Sequence, residues 1–216
     1  MNDVLSNFDL VLQAFGLTLQ LFVLSGVASL VFGTLLAAAR VGPVPVLAKA
    51  GAAYVTLVRN TPLLVVFICV FVAMPRLDLN ISSFLVKGVI ALTIYTSAFV
   101  CEAMRAGINS VPLGQAEASR AIGLTFAQSM RLVVLPQALR AVVPPLASVL
   151  IALVKNTSVG AAFGLAEATA RMRIFTNDNS SDRPLIFLTF AIGYIILVEV
   201  ISAGAITLER RWKVAR

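Results

Sequence analysis

Long apolar stretches alternate with short polar breaks along this chain, and five of the stretches are long enough to cross a membrane. The predicted spans are approximately residues 10–39, 50–74, 83–106, 140–164 and 184–208. A spanning helix needs about 20 mostly apolar residues, because backbone polar groups cannot stay unpaired in lipid. The pattern therefore predicts an all-α membrane protein, a single transmembrane domain over residues 1–216 with about five transmembrane helices.

Composition supports the membrane class. Hydrophobic residues make up 59% of the chain, charged residues 12%, and the mean hydropathy is +0.96. A soluble domain carries about 45–50% apolar and ~25% charged residues, so this chain has too few charges to coat a surface that faces water. Membrane lipid is thus an expected partner.

Residue usage also argues against chemistry in this chain. There is no histidine, and both cysteines lie in apolar runs, so we expect no catalytic residue, no metal site and no cofactor. The net charge of +7 comes from basic residues scattered between apolar segments, which favours membrane anchoring over nucleic-acid binding.

Basic residues also predict the orientation. With the C-terminus inside, ten basic residues fall on inner segments and five on outer ones, so the positive-inside rule favours N-out, C-in. The inner set is Arg40, Lys49, Arg105, Arg120, Arg131, Arg140, Arg210, Arg211, Lys213 and Arg216, and the outer set is Arg76, Lys87, Arg171, Arg173 and Arg183.

The segment between the third and fourth spans, approximately residues 107–139, is too polar to cross a membrane. Residues 115–122 predict one short helix, Gly123 breaks it, and residues 125–134 predict a second that Pro136 ends. Two short helices on the cytoplasmic face are typical of a docking element.

This loop carries a motif. Glu117-Ala118-Ser119 is followed after three residues by Gly123, and after nine more by Val133-Val134-Leu135-Pro136. This spacing resembles the EAA loop of the permease subunits of ABC importers. Ser119 stands in place of the second alanine, and Val133 in place of isoleucine.

The resemblance extends over most of the chain. The chain is similar to the branch of these permeases that takes up polar amino acids, and actinobacterial glutamate-uptake permeases are the most alike. The further matching segments are Arg59-Asn60-Thr61-Pro62-Leu63-Leu64, residues 105–115, Lys155-Asn156-Thr157-Ser158 and Leu208-Glu209-Arg210-Arg211.

The resemblance implies a multi-pass permease in the bacterial plasma membrane. Two permease subunits would line the pathway, with a homologous heterodimer partner favoured over a second copy. Two ATPase subunits would hold ATP and Mg²⁺, and an extracytoplasmic binding protein would deliver a polar amino acid such as glutamate. The EAA loop, with Glu117, Ala118, Ser119, Arg120, Gly123, Leu135 and Pro136, would dock on the ATPase.

Four of the charged residues within the predicted spans stand out: Arg59, Glu102, Lys155 and Glu199. A charge near the bilayer centre costs about 2.5–3.5 kcal/mol on insertion scales, so such residues usually face a cavity or a partner. Glu102 and Arg105 are spaced to pair on one helix. Glu199 is expected to face the interior, either in a salt bridge with another span or in the pathway.

Two of these charges begin similar motifs. Arg59, Asn60, Thr61 and Pro62 interrupt the second span, and Lys155, Asn156, Thr157 and Ser158 interrupt the fourth. Both spans are expected to be locally broken there, which is a common way for a transporter to build a polar site. One hypothesis places both motifs on the substrate pathway. The other pairs Arg59 and Lys155 with Glu102 or Glu199 to hold the helices together.

Two other functions remain open from the sequence, and so does the role of one segment. The intramembrane charges also suit a secondary transporter or channel subunit driven by an ion gradient, although a patterned cytoplasmic loop has no role there. A structural or receptor subunit fits the broken spans poorly. The charged outer segment 166–182 suits either contact with a binding protein or a solvated loop. The chain has no G-x-x-x-x-G-K-[ST] phosphate loop, so ATP hydrolysis is expected from a partner.

Overall fold

The computed structural model describes residues 7–179 and 181–212, and these residues form helices and connecting turns with no strand. The helices are α1 (Phe8–Val41), α2 (Pro45–Arg59), α3 (Leu63–Ile68), α4 (Met74–Arg76), α5 (Phe84–Asn109), α6 (Leu113–Ala121), α7 (Phe126–Ser129), α8 (Leu135–Asn156), α9 (Ala168–Asp178) and α10 (Arg183–Trp212). Single π-helical segments, Cys69–Ala73 and Met130–Val134, lead into α4 and α8, and a 3₁₀ segment, Thr157–Phe163, follows α8.

The described residues contain four continuous helical segments that are long and apolar enough to cross a membrane: Phe8–Val41, Phe84–Asn109, Phe126–Phe163 and Arg183–Thr207. Helix α2 and the segment Leu63–Arg76 meet at an angle of 104°, and together they are long and apolar enough to count as a fifth, broken span. The prediction of an all-α membrane protein with about five spans is confirmed.

The bend between α2 and Leu63 has a local cause. Pro62 has no backbone N–H and adopts an extended conformation with ψ 138°, so α2 ends at Arg59. Thr61 turns its hydroxyl back onto the carbonyl of Leu57 at 2.8 Å. The break that the Arg59–Pro62 motif predicts is therefore present.

Pro136 does not end a helix as expected. It occupies the first turn of α8, where a missing N–H leaves no helical bond unmade, and the π-helical segment Met130–Val134 carries the chain into α8 without a stop. As a result α8 begins at Leu135, five residues before the start predicted for the fourth span.

Helix α5 lies at the centre of the bundle because small residues let its neighbours approach closely. A Cβ added to Gly33 of α1 would lie 2.6 Å from Val100 Cβ and 2.7 Å from the carbonyl oxygen of Ser97. A Cβ on Gly107 would collide with Val142 of α8. Close crossings at small residues are the usual way for helices to associate in lipid.

The Gly33 crossing gives a stability prediction. Gly33→Val is expected to push α1 from α5 and to cost about 1–3 kcal/mol, because the added side chain would collide with Val100 and with the backbone of Ser97, both fully buried. Gly16→Val in the same helix is the matched control, since no atom lies within 4 Å of its added Cβ. Thermal unfolding of both variants in detergent measures the difference. Equal melting temperatures would contradict this packing.

Candidate coupling loop and translocation path

The loop between α5 and α8 is held in a compact turn. Helix α6 ends at Ala121, and Gly123 has a φ of +88°, a conformation that favours glycine. The N–H of Gly123 donates to the Arg120 carbonyl at 3.0 Å, and that of Leu124 donates to the Ser119 carbonyl at 3.1 Å. This is the Schellman pattern of hydrogen bonds. Gly123 thus reverses the chain between α6 and α7.

Ser119 ties the two short helices together. Its Oγ lies 2.7 Å from the carbonyl oxygen of Ala116 and 2.7 Å from Ser129 Oγ in α7, and both serines are buried. Thr125 and Gln128 form a reciprocal capping box at the start of α7. The serine that departs from the EAA pattern therefore has a hydrogen-bonding role that alanine could not provide.

The exposed surface of this loop, which faces away from the helix bundle, carries both apolar and charged side chains. Glu117, Ala118 and Arg120 are exposed, and neither charged residue forms an ion pair within the described part of the chain. Large apolar side chains surround them; the most exposed are Leu113 at 80%, Ile122 at 79% and Phe126 at 72%. We call the exposed residues of 113–136, which include Leu135 and Pro136, the coupling surface.

Arg59 is held by an ion-pair cluster that we call the Glu102 cluster. Arg40 Nη1 contacts Glu102 Oε1, Arg105 Nη1 lies 3.3 Å from the same oxygen, and Arg59 Nη1 lies 3.7 Å from Oε2. The Arg59 guanidinium also lies 5.7 Å from the ring centre of Phe99. Of the alternatives for Arg59, the structure shows the ion pair with Glu102, and the expected Glu102–Arg105 pair is present.

The residues of the Lys155 motif, 155–158, differ in burial and in the surface that each one lines. Thr157 is buried and its hydroxyl donates to the Val154 carbonyl at 2.6 Å, while Ser158 donates to the Lys155 carbonyl at 2.6 Å. Lys155 is exposed and forms no ion pair with Glu102, Glu199 or any other described residue. Lys155 and Arg59 therefore do not share an ion-pair partner among the described residues.

Two cavities flank this motif. One of about 340 Å³ has walls from α5 and α8 only, and Asn156 lines it with Tyr95, Thr96, Phe99, Ser148, Val149 and Ala152. The other, of about 300 Å³, is lined by Lys155, Ser158, Thr169, Met172, Phe187, Phe190, Ala191 and Tyr194. Because Phe99 also contacts Arg59, the first cavity, which we call the α5–α8 cavity, lies beside the Glu102 cluster.

Glu199 does not face the interior of this chain, contrary to expectation. It lies on an exposed face of α10 and has no hydrogen bond or ion pair among the described residues. Hydropathy alone could not assign its face, because α10 is apolar on nearly all sides.

Sequence reasoning missed the buried Glu167. Its carboxylate accepts hydrogen bonds from the backbone N–H groups of Thr169 and Ala170, both at 3.0 Å, and from the Tyr194 hydroxyl at 2.8 Å. Burial raises the pKa of Glu167, although the backbone donors oppose that rise. The backbone N–H of Ala168 donates to Thr18 of α1 at 3.1 Å. The charged segment 166–182 is therefore fixed at its N-terminal end. The sequence signal that could have identified Glu167 was an acidic side chain at the position that caps the start of a helix.

Removal of the Glu167 side chain is expected to loosen α9. Glu167→Ala leaves the Thr169 and Ala170 N–H groups in the first turn of α9 without their acceptor and removes one of the two partners of the Tyr194 hydroxyl, at a cost of about 1–2 kcal/mol. Glu167→Gln keeps one acceptor oxygen and should lose less. The rate of proteolysis at the exposed end of α9, near residue 177, tests this. Glu167→Ala is expected to be cleaved fastest, Glu167→Gln more slowly, and the wild type most slowly.

Four continuous spans and a fifth, broken one, a close-packed central helix and an exposed patterned loop define the class: a polytopic membrane protein. The profile of the family described as binding-protein-dependent transport system inner membrane component matches residues 29–214. The chain belongs to this family.

Relatives and solved structures agree. The glutamate transport system permease protein GluC of Corynebacterium glutamicum is 39% identical, with 95% of each chain covered. The probable glutamine ABC transporter permease protein GlnM of Bacillus subtilis is 36% identical, with 95% of this chain and 94% of that protein covered. A crystal structure of an amino acid ABC transporter with histidines superposes with a TM-score of 0.90 at 28% identity, with 97% of each chain covered.

These findings establish the chain as a permease subunit of an amino-acid ABC transporter, a multi-pass component of the inner membrane. It is not an enzyme, because ATP hydrolysis in this class belongs to separate ATPase subunits. The class implies two kinds of partner, an ATPase and a substrate-binding protein.

Proposed function

We propose that this chain forms one half of the membrane pathway of an ATP-driven importer of glutamate or a close relative. The observation that carries the substrate assignment is 39% identity, over 95% of both chains, to a permease of a glutamate transport system. The excess of arginine over carboxylate in the Glu102 cluster, beside the α5–α8 cavity, also favours an anionic substrate.

The coupling surface docks on the ATPase at the cytoplasmic face. In this proposal Glu117, Ala118 and Arg120 contact the ATPase directly, Ser119 and Gly123 keep the two short helices in one rigid unit, and Leu135 and Pro136 connect that unit to α8. Exposed apolar side chains beside unpaired charges favour a protein partner over solvent at this position. The N-terminus then lies outside, and ATP and Mg²⁺ are held by the ATPase.

The substrate path follows the α5–α8 cavity. Its two walls come from helices of one chain, so a second permease subunit must supply the rest of the enclosure. Asn156 offers an amide inside the cavity, and Arg59 lies beside it behind Phe99. Asn60, Thr61 and Pro62 shape the bend that presents Arg59. Lys155, Thr157 and Ser158 shape the far end of α8, and Glu199 is placed at the subunit boundary.

The complete importer contains two permease subunits, the second being a homologue of this chain, and two ATPase subunits. An extracytoplasmic binding protein delivers substrate to the opposite end of the bundle, where the anchored helix α9 lies. The distribution of basic residues and the separation of α9 from the coupling surface by the length of α8 support this arrangement.

Uptake in a strain that lacks this chain tests the substrate. Cells complemented with the wild-type chain are given labelled glutamate together with a tenfold excess, roughly, of unlabelled glutamate, glutamine, aspartate or cystine. Glutamate is expected to compete best. Complementation with Arg59→Gln is expected to weaken glutamate uptake more than glutamine uptake. If glutamine competes best and Arg59→Gln has no selective effect, the glutamate assignment is wrong although the importer class stands.

A further inference from the structure

Two adjacent prolines, Pro144 and Pro145, lie in the middle of α8. Because proline has no backbone N–H, the carbonyl groups of Arg140 and Ala141 lack the donors that a regular α-helix would give them. The hydroxyl of Ser148 also donates to the Pro144 carbonyl at 3.3 Å, and such bonds to the preceding turn often bend a helix. This stretch therefore has fewer backbone hydrogen bonds to resist bending than a regular helix has.

The two halves of α8 pack on different helices. In the first half, Val142 lies so close to Gly107 of α5 that a Cβ added to the glycine would collide with it. In the second half, Leu153 is fully buried, and its Cδ2 lies 3.5 Å from the position of a Cβ added to Gly26 of α1. Each half is thus fixed to its own neighbour, and the prolines lie between the two contacts.

Unfilled space flanks the prolines on the sides that face α5 and α10. The α5–α8 cavity begins at Ser148, within one turn of the prolines. A second space, of about 220 Å³, lies between α8 and α10, and the residues that line it include Pro144, Ala147 and Ile151 of α8 and Ser202 and Ala205 of α10. A change of angle at the prolines therefore has room on both of these sides.

The first half of α8 is continuous with the coupling surface. The π-helical segment Met130–Val134 leads into it, and the side-chain amide of Gln137 donates to the Val133 carbonyl at 2.9 Å across the junction. The hydrogen bond between Ser119 and Ser129 joins the start of this segment to α6. A displacement of the coupling surface is thus passed to the first half of α8.

We propose that Pro144 and Pro145 form a hinge at which the first half of α8, moving with the coupling surface, changes its angle to the second half. The first half is fixed to α5 at Gly107, so α5 follows it. The second half carries Ala152 and Asn156, which line the α5–α8 cavity, and the gap between it and α5 changes in width. The two prolines are thus positioning residues that link movement of the ATPase to the cavity.

This inference rests on the proposed function, in which the coupling surface docks on the ATPase and the α5–α8 cavity lies on the substrate path. Pro144→Ala/Pro145→Ala, which restores both N–H groups, tests it in the complete importer in proteoliposomes. Uptake driven by ATP is expected to fall roughly tenfold because the helix is stiffer, while the ATPase stays bound and continues to hydrolyse ATP.

Pro45→Ala is the matched control. Pro45 occupies the first turn of α2, where a missing N–H leaves no helical bond unmade, so this variant should take up substrate as well as the wild type does. The hinge is overturned if Pro144→Ala/Pro145→Ala also transports like the wild type. It is overturned as well if that double variant loses the ATPase, because the prolines would then shape the coupling surface instead of acting as a joint.

Distances between spin labels supply the second readout. Nitroxides are introduced as non-canonical amino acids at position 27 of α1, beside the contact with the second half of α8, and either at position 139 or at position 152; all three positions are exposed. When ATP binds, the distance from 27 to 139 is expected to shift by roughly 3 Å, which is what a bend of about 20° at Pro145 gives at position 139. The distance from 27 to 152 should stay constant.

In Pro144→Ala/Pro145→Ala the distance from 27 to 139 should no longer respond to ATP. A wild-type importer that takes up substrate with ATP while both distances shift equally, or while neither shifts, would overturn the hinge. A wild-type importer without ATP-driven uptake would refute the proposed function, and the hinge with it.

Discussion

Glu117→Arg is expected to abolish ATP-driven uptake and to release the ATPase subunit from the purified complex. Glu117 is exposed on α6 among large apolar side chains and has no ion pair within the described residues. Reversal of a charge at the centre of a docking surface typically costs about 2 kcal/mol or more, which is roughly 30-fold in affinity. Co-purification of the ATPase with the tagged chain, together with uptake by whole cells, measures both effects.

Two controls make this result specific. Glu117→Gln keeps the shape of the side chain and should lose less ATPase than the arginine variant. Asp178→Arg makes the same change of charge on an exposed residue at the end of α9, far from the coupling surface, and should retain the ATPase fully. The coupling role is refuted if the ATPase stays bound to Glu117→Arg as tightly as to the wild type.

Glu102→Gln is expected to destabilise the membrane-spanning core strongly. One carboxylate serves Arg40, Arg59 and Arg105, so its loss leaves three guanidinium groups together without a counter-charge. Removal of one partner from a largely buried charge network costs about 3–5 kcal/mol, and the partial exposure of Glu102 lowers this to about 2–3 kcal/mol. A fall in melting temperature of about 5–10 °C is expected in detergent.

The geometry of the cluster predicts unequal effects for its arginines. Arg40 has 14% of its side chain exposed, whereas Arg59 has 47% exposed and lies 3.7 Å from the carboxylate. Arg59→Gln should therefore cost only about 0–1 kcal/mol. The double variant Arg40→Gln/Glu102→Gln should be more stable than Glu102→Gln alone, because it removes one of the stranded charges. If Glu102→Gln melts with the wild type, the cluster does not hold these helices together.

The loop between α5 and α8 is the part of the molecule that the sequence predicts best. Gly123 and the Thr125 cap are local signals, and the predicted break between two short helices is present. The bond between Ser119 and Ser129 joins residues ten positions apart across a turn, so no local pattern announces it. The prediction that Pro136 ends a helix is wrong, because the sequence around a proline in the first turn of a helix looks the same as that around a proline that follows a helix.

Charges inside the spans were recognisable, but their partners were not. The spacing of Glu102 and Arg105 gave one ion pair, whereas Arg40 reaches the same carboxylate from a helix 62 positions away. Lys155 and Asn156 are adjacent in sequence yet line different cavities, because neighbouring residues on a helix point about 100° apart. Glu199 was expected to face the interior because no local residue neutralises a charge at mid-span, and the uniformly apolar sequence of α10 does not show which face packs against the rest of the chain.

Uptake into proteoliposomes tests the central claim most directly. The purified importer, with ATPase and binding protein, is reconstituted with ATP in the compartment that holds the ATPase, and labelled glutamate is supplied to the binding protein. Uptake is expected to require hydrolysable ATP, to persist when ionophores collapse all ion gradients, and to disappear with Glu117→Arg. Uptake that continues without ATP and stops with the ionophores would contradict the account and make this chain a gradient-driven transporter.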